Sequence, residues 1–411
     1  MKKRGVSLLL SIMLLFSFAV PGGRVSAKAA VAVTAKETQK ISISKCTVTL
    51  SKSVPYTGKS LTVPVTVKYG KKLLKSGTDY TLSYKNNKKI GKASVTIKCS
   101  KKSEFFGSKT VTFNIVPKKC EELTLVKKTQ SSVTLKWKNQ KEVSAFRVYS
   151  YNKEKGTYKK LAEVKTNTLK LMNLKPNTQY LFSVRAFKTV NGKNYYGEFS
   201  QKLKVRTKPI KYSKAGRIII DTEGQDWRLL VVNGKREFSR SYSPTVSYVM
   251  DSGTRLDERV TPYYVKMYRA AKKDGVTLTP YSGYRSYAHQ EWNYNNLTEV
   301  YMNQYGLSRS AAAKKAATVI LPPGTSEHNL GLSMDICNTL NSFEKTKEFC
   351  WLCKNAQNYG FILRYPKGKQ NITGVIYEPW HWRFVGIENA KKIKKSGLCL
   401  EQYLEKNKIY Y

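Results

Sequence analysis

The sequence predicts a multidomain chain: two all-β sandwich modules followed by an α+β domain. Between about 41 and 207, short runs alternating apolar and polar residues are separated by turn residues, as in small β-sandwiches. From about 226 onward the texture changes. Stretches with helical apolar periodicity mix with short strands, without the regular alternation that builds a parallel sheet. At 411 residues the chain has room for several cores.

The first residues, Met1 to Arg4, are basic. An apolar run from Val6 to Val20 follows, and Val25-Ser26-Ala27 supplies small residues at a plausible cleavage site. This is the pattern of a secretory signal peptide over 1–27, and the run is short for a membrane span. No cysteine stands beside the cleavage site, which argues against a lipoprotein, and no later stretch is apolar enough to cross a bilayer. The expectation is a secreted protein, extracellular or cell-wall associated, with no transmembrane segment after signal cleavage. Residues 28–40 are small, polar and charged and read as a linker.

The formal charge is +47, from 74 Lys+Arg against 27 Asp+Glu. Behind an export signal such a balance points to anionic cell-wall polymers or other anionic surfaces as partners. Nucleic acid is not expected: the cations are mostly lysines scattered along strand-like segments, not an arginine stripe with stacking aromatics.

The first β module is expected over 41–118. Its runs are C-T-V-T-L, L-T-V-P-V-T-V-K-Y, Y-T-L-S-Y, A-S-V-T-I-K-C and K-T-V-T-F-N-I-V, with turns at Gly77-Thr78-Asp79 and Lys85-Asn86-Asn87. Its Y-T-G-K, G-T-D-Y-T and N-N-x-x-x-G-x-A elements loosely resemble Ig-like repeats of bacterial surface proteins. The second module, 119–208, has Trp137 on an early strand, F-R-V-Y-S-Y in the middle, then L-K-P-N-T-Q-Y-L-F-S-V-R-A-F. Leu174, Pro176, Thr178 and Tyr180 resemble the corner of a fibronectin type III domain, where a tyrosine hydroxyl bonds back to the backbone. Such modules serve as spacers or wall-binding units. Residues 209–225 read as a linker with at most one strand.

In the last domain, 226–411, the strand-like R-L-L-V-V-N precedes a helical stretch from Tyr263 to Gly275. A strand, V-T-L-T-P-Y-S-G-Y-R-S, follows, then a helical region running through Ser310–Ala317. A helix containing W-L-C-K-N-A comes next, and a final strand and a helical tail over Ala390–Leu404 close the domain. Seven cysteines, an odd number, fix no disulfide pattern. Cys350 and Cys353 stand alone as a C-x-x-C pair without a nearby histidine, so structural or free thiols are expected.

The chemistry concentrates around two of the three histidines. P-P-G-T-S-E-H-N-L-G-L-S-M-D holds His328 and Asp335; Y-E-P-W-H-W-R holds Glu378 and His381. Two imidazoles and a carboxylate are a common ligand set for catalytic zinc, with a position left for water. A spare carboxylate three residues before the second histidine suits a general base. The run L-S-M-D-I alternates as a strand, with Ser333 and Asp335 on one face and Leu332, Met334 and Ile336 on the core face. Gly331 allows a bend between His328 and that strand. Pro379 between Glu378 and His381 rules out a regular helix and predicts an irregular bend. The third histidine, His289, is expected to be exposed or at a helix end.

Five segments occur in a fixed order: Tyr281–Gln290, Pro323–Ile336, Gly360–Pro366 (G-F-I-L-R-Y-P), Tyr377–Arg383 and Leu400–Leu404 (L-E-Q-Y-L). Together they closely resemble the VanY-like zinc D-alanyl-D-alanine carboxypeptidases, over essentially all of 226–411 and none of the β modules. The combination of S-x-H-x(6)-D with E-x-W-H is far more specific than either half. The resemblance implies one Zn2+ per chain held by His328, Asp335 and His381, with Glu378 as catalytic base and Arg285 as the donor to the developing oxyanion. It also implies substrate contacts from Ser326, Gln290, Ser286, Tyr284 and Trp380. The substrate it implies is a peptidoglycan stem peptide ending in D-alanyl-D-alanine. The alternatives are another cell-wall peptidase on the same fold, an endopeptidase or dipeptidase, and a wall-binding surface protein without activity. A carboxypeptidase needs the free carboxylate of its substrate; the intact ligand set argues against pure binding.

Overall fold

The computed structural model describes residues 39–409. The expected signal peptide and residues 28–38 of the expected linker lie outside the described residues. Among the described residues no helix is long and apolar enough to cross a membrane.

The chain divides into two compact units, and the division runs through the first β module. The smaller unit contains 67–82, 97–109 and the described residues up to 47. In it Ile41–Ser42 runs parallel to Phe105–Phe106, around the buried side chains of Ile43, Cys46, Val67, Leu74, Tyr80 and Phe105. The larger unit holds the remainder. There Ser53–Pro55 pairs in parallel with Ser108–Val116. Val63, Ile90, Ala93, Phe113 and Ile115 form a core that continues onto Tyr195 of the second module.

The second module is a sandwich. One sheet orders Thr124–Lys128, Val133–Lys136 and Thr168–Leu171; the other is built on Ala145–Asn152 and Gln179–Val190. Alternate residues of the two long strands, Phe146 and Val148 against Phe182, Val184 and Ala186, close over Trp137. The Tyr180 hydroxyl accepts the Lys175 amide at 2.9 Å, the corner bond expected of its L-K-P-N-T-Q-Y run.

Residues 209–225 are more ordered than a linker. Lys211–Tyr212 pairs with Ile218–Ile219, which runs parallel to Arg236–Glu237 in the last domain. Asp221 fastens the segment to the second module: one carboxylate oxygen accepts the Ser131 amide (3.0 Å) and hydroxyl (2.9 Å). The other oxygen accepts the Gly224 amide at 2.8 Å. The Gln130 side-chain amide donates to the Ile219 carbonyl. The segment reads as a linker in the sequence; in the structure it finds partners on the neighbouring module.

The last domain is α+β. Its central four-stranded antiparallel sheet has the order Pro280–Ser282, Ser333–Ile336, His381–Phe384, Phe361–Leu363. Met334, Ile336, Trp382, Phe384 and Phe361 face a core shared with helix Thr261–Lys273, through Tyr264 and Met267, and with helix Lys347–Asn355, through Leu352. The expected helical region before Ala317 is two helices, Tyr287–Tyr305 and Arg309–Ala316, because Gly306 is left-handed and Ser308 caps a new start. Gly397 likewise splits the tail into Ile387–Ser396 and Leu400–Lys406.

Two expected strands differ. The 276–286 run keeps only Pro280–Ser282 as strand. R-L-L-V-V-N forms a 3₁₀ turn, Trp227–Leu229, and then an extended buried segment. Its side chains do alternate, with Leu230 and Val232 in one core and Leu229 and Val231 in the other. Its carbonyls, however, accept from the Arg383 guanidinium: Leu230 at 2.8 Å and Arg228 at 3.2 Å. A period of two reports which side chains are buried, not what pairs with the backbone. The seven cysteines form no disulfide.

Asp221→Ala should cost about 1–3 kcal/mol, since it strands the Ser131 and Gly224 donors. Thermal unfolding together with limited proteolysis should show a lower midpoint and faster cleavage within 209–225; unchanged cleavage would mean that Asp221 does not hold the segment.

Candidate active site

Strand register assembles the site. Asp335 pairs with His381 on one side and with Ser282 on the other, so the three form a row across one face of the sheet. Directly opposed residues of antiparallel strands hold their Cβ atoms about 5 Å apart. Met334, paired with Trp382 one step along, faces the opposite way into the core. The L-S-M-D-I alternation is therefore realised.

His328 comes from a 3₁₀ turn, Glu327–Leu330, that ends on Gly331 at φ 68°. Gly331 also lies against Asp257, where a Cβ would stand 2.8 Å from the Asp257 amide nitrogen. This is the bend expected between His328 and the strand. Gly283 is fixed by close approach, because a Cβ there would lie 2.3 Å from the Arg255 carbonyl oxygen. The Gly283 carbonyl contacts His328 Nδ1 at 2.7 Å, which places the proton on Nδ1 and leaves the Nε2 lone pair free. Asn329 donates to the Arg285 and Ser286 carbonyls, tying the two loops together.

His328 Nε2 lies 3.2 Å from one Asp335 oxygen and His381 Nδ1 lies 3.0 Å from the other. Ligand atoms of His328, Asp335 and His381 all fall within 4.8 Å of one another, and all three residues are buried. The rings stand perpendicular, with centroids 4.9 Å apart. Two imidazole nitrogens converging on one carboxylate suit a divalent cation and leave room for a further ligand. Among the described residues the buried His381 Nε2 has no hydrogen-bond partner.

Glu378 enters through a turn. The His381 amide donates to the Glu378 carbonyl at 3.2 Å with Pro379 in between, the position at which a fixed φ favours a turn. The expected irregular bend is thus a tight turn at the mouth of strand His381–Phe384. It brings a Glu378 oxygen to 3.7 Å from His381 Nδ1. Burial pushes the Glu378 carboxyl up to about 7; His381 and Arg285 oppose this, and Asp335 and Glu327 add to it. That value suits a group that must both take and return a proton near neutrality.

Burial alone would lower the His381 imidazole, but Asp335 and Glu327 carry it up to about 9. Burial holds the His328 imidazole below its ordinary value, against the pull of Asp335. Asp335 is also buried, which would raise it, yet His328 and His381 keep it well below the carboxylate range.

Arg285 is held by neutral partners: its guanidinium donates to Gln290 Oε1 (2.9 Å) and Ser282 Oγ (3.2 Å). Burial lowers its pKa, opposed by Asp335 and Glu378. Among the described residues it makes no ion pair, so its charge stays available to a ligand.

The remaining expected contacts divide. Gln290 is buried and engaged at both ends, by Arg285 and by the Leu321 carbonyl at 2.6 Å; it orients Arg285. The Ser286 hydroxyl accepts the His289 amide and caps helix Tyr287–Tyr305. Ser326 is buried one residue ahead of the His328 turn and its side chain makes no capping bond. Tyr284 is half-buried under the Arg255 guanidinium. Trp380 is half-buried against the core. His289 is exposed in the first turn of its helix.

Ser282, Asn329, Glu327, Arg364, Arg383 and Glu401 were not singled out by sequence reasoning. All but Ser282 and Asn329 join one buried charge cluster, and the G-F-I-L-R-Y-P and L-E-Q-Y-L segments were its visible trace.

These features define a buried candidate metal site, with a glutamate beside it, on the antiparallel sheet of an α+β domain. The D-alanyl-D-alanine carboxypeptidase family VanY matches residues 253–387, and the fibronectin type III domain family matches residues 117–206. A D-alanyl-D-alanine carboxypeptidase of Enterococcus faecalis is 39% identical over 184 residues, covering 45% of this chain and 68% of that protein. A variant of the vancomycin-resistance D,D-pentapeptidase VanY, solved with Zn(II), is 39% identical and covers 44% of this chain and 99% of that one, at a TM-score of 0.38. VanYB solved with D-alanine-D-alanine is also 39% identical, covering 44% and 98%, at a TM-score of 0.39. The chain belongs to the VanY D-alanyl-D-alanine carboxypeptidase family.

A divalent cation must displace the His381 proton. That proton is bound below about 9, so metal affinity should rise with pH up to that point. Calorimetry in buffers of different ionisation enthalpy should show release of about one proton per metal near neutrality. Affinity independent of pH between 6 and 9 would contradict the assignment.

Proposed function

We propose that this protein is a secreted, zinc-dependent D-alanyl-D-alanine carboxypeptidase that removes the terminal D-alanine from peptidoglycan stem peptides or their precursors. The observation that carries this reading is the convergence of His328 Nε2, His381 Nδ1 and the Asp335 carboxylate beside a glutamate poised near neutrality. Two imidazoles and one carboxylate with an open position favour zinc among the common divalent ions.

His328, Asp335 and His381 would hold the ion. Bound zinc supplies Lewis acidity, making a water acidic enough to ionise near neutral pH and polarising the scissile carbonyl. Glu378 takes the proton of the attacking water on its carboxylate and later returns it to the leaving amine nitrogen. Arg285, fixed by Ser282 and Gln290, offers a positive charge to the carbonyl oxygen as it becomes an oxyanion. A preorganised donor of this kind contributes about 3–4 kcal/mol to the transition state. We assign Ser326, Tyr284 and Trp380 to the substrate pocket, with Ser326 as the donor to the terminal carboxylate. Ser286 and Gln290 serve through the helix cap and through Arg285.

Export and the wall follow from the same reading. The apolar leader supports secretion. The β modules carry much of the positive charge: 16 Lys+Arg against 2 Asp+Glu over 41–118, and 21 against 6 over 119–208. That excess suits anionic wall polymers as a second, non-catalytic partner.

The deciding experiment incubates the purified protein with a stem pentapeptide ending in D-alanyl-D-alanine, with and without a chelator, and follows products by mass spectrometry. Chelator-sensitive loss of one alanine is expected, and amidation of the substrate's terminal carboxylate should abolish it. Cleavage elsewhere in the stem would move the protein to the endopeptidase reading; no cleavage with zinc bound would leave binding. Glu378→Gln should retain zinc and lose on the order of 10²–10⁴-fold in turnover. In the native protein kcat/KM should fall on the acid side, at or below pH about 7, because the protonated carboxyl cannot accept and a bound cation lowers its pKa. Near-normal activity of the Gln variant would remove Glu378 from the role of base.

A further inference from the structure

Glu327 lies behind the ligand cluster, fully enclosed, and none of the roles assigned above uses it. One of its carboxylate oxygens is taken from behind by two guanidinium groups, with Arg364 Nε and Arg383 Nη1 each at 2.8 Å. Arg364 is itself gripped at its far end by both oxygens of Glu401, at 2.9 and 2.6 Å. Among the described residues the other Glu327 oxygen makes no hydrogen bond; it faces His381 Nε2 at 3.8 Å, which has no hydrogen-bond partner there either. Leaving a buried carboxylate oxygen and a buried imidazole nitrogen without partners is costly for each. Their mutual orientation is therefore a meaningful one.

We propose that Glu327 is the positioning residue for His381: its carboxylate, clamped by Arg364 and Arg383, holds the imidazole with its proton on Nε2 and its Nδ1 lone pair turned to the metal. The inference rests on the metal-site reading above. It completes a symmetry between the two imidazoles. The non-ligating nitrogen of His328 has a backbone carbonyl, that of Gly283, at 2.7 Å; the non-ligating nitrogen of His381 has a carboxylate. An anionic partner raises the basicity of a ligating ring and fixes its orientation. Glu327 also sits in the 3₁₀ turn directly before His328. One anchored side chain thus ties the turn that carries the first histidine to the ring of the second. The opposing view is that Glu327 only neutralises two buried arginines.

Two variants of the full protein separate the views. Glu327→Gln and Glu401→Gln each remove one negative charge from the arginine cluster, but only the first touches His381. Zinc affinity is read by competition with a chromophoric chelator, and ligand geometry by the visible spectrum of the cobalt-loaded protein. Glu327→Gln is expected to weaken zinc binding about 10–100-fold and to shift the cobalt bands, while Glu401→Gln lowers the thermal midpoint but changes zinc affinity by no more than about twofold. If Glu327→Gln does not fold, Glu327→Asp keeps the charge for the arginines while withdrawing the carboxylate from His381, and should show the same loss of affinity. Wild-type affinity and spectrum in the Glu327 variants would overturn the inference. Failure of the native protein to bind zinc would overturn the metal-site reading itself, a separate outcome.

Discussion

The register between strands Ser333–Ile336 and His381–Phe384 places Asp335 directly across from His381, and the rest of the site depends on it. Side chains alternate along a strand, so a slip of one residue would turn Asp335 into the core and bring Met334 to the functional face. The slip is opposed from both sides of the sheet. Met334, Trp382 and Phe384 bury apolar surface on one face, while Arg383 reaches Glu327 on the other. The same pairing that makes a stable core therefore makes a ligand cluster, and the two cannot be separated by local change.

Charge does the second part of the work. Arg364, Arg383, Glu327 and Glu401 are all buried, and each would be expensive alone. As a set they carry two positive and two negative charges joined by short contacts. Breaking such a cluster at one member leaves an uncompensated charge in the interior, which is the usual source of large losses. Its benefit is geometric: it pins the turn before His328, the strand carrying His381 and the C-terminal helix Leu400–Lys406 to one point. Outside it, Asp335 sits close enough to Glu378 to raise its proton affinity. The two nonetheless diverge, because Asp335 lies between two imidazoles while Glu378 has mostly burial acting on it. Two neighbouring carboxylates thereby acquire opposite proton affinities, which suits the ligand and base roles proposed for them.

The β modules bear on the chemistry through attachment. Asp221 and Gln130 join the connecting segment to the second module, and Ile218–Ile219 joins it to the last domain. A segment bonded on both sides transmits position, whereas a free linker would leave the catalytic domain to diffuse on its tether.

The fold class was legible in the sequence because period-two and helical patterns report burial directly, and the cluster of His328, Asp335 and His381 with Glu378 beside it was legible because these residues stand in short, distinctive segments. Gly331 and Pro379 also declared themselves, since their backbone preferences are local. Other features needed the folded chain. Arg364 meets Glu327 and Glu401 only because residues 37 apart on either side of it are brought together, and no spacing within a segment encodes that. That Ser286 caps a helix and that Gln290 holds Arg285 likewise emerged only in the folded chain. R-L-L-V-V-N looked like a strand until the Arg383 guanidinium took its carbonyls. The sequence by itself determined which residues could bind metal and move a proton, because that is a property of side-chain type. Only the tertiary structure decided which atoms face which, because hydrogen-bond partners and pKa values are set by neighbours distant in the chain.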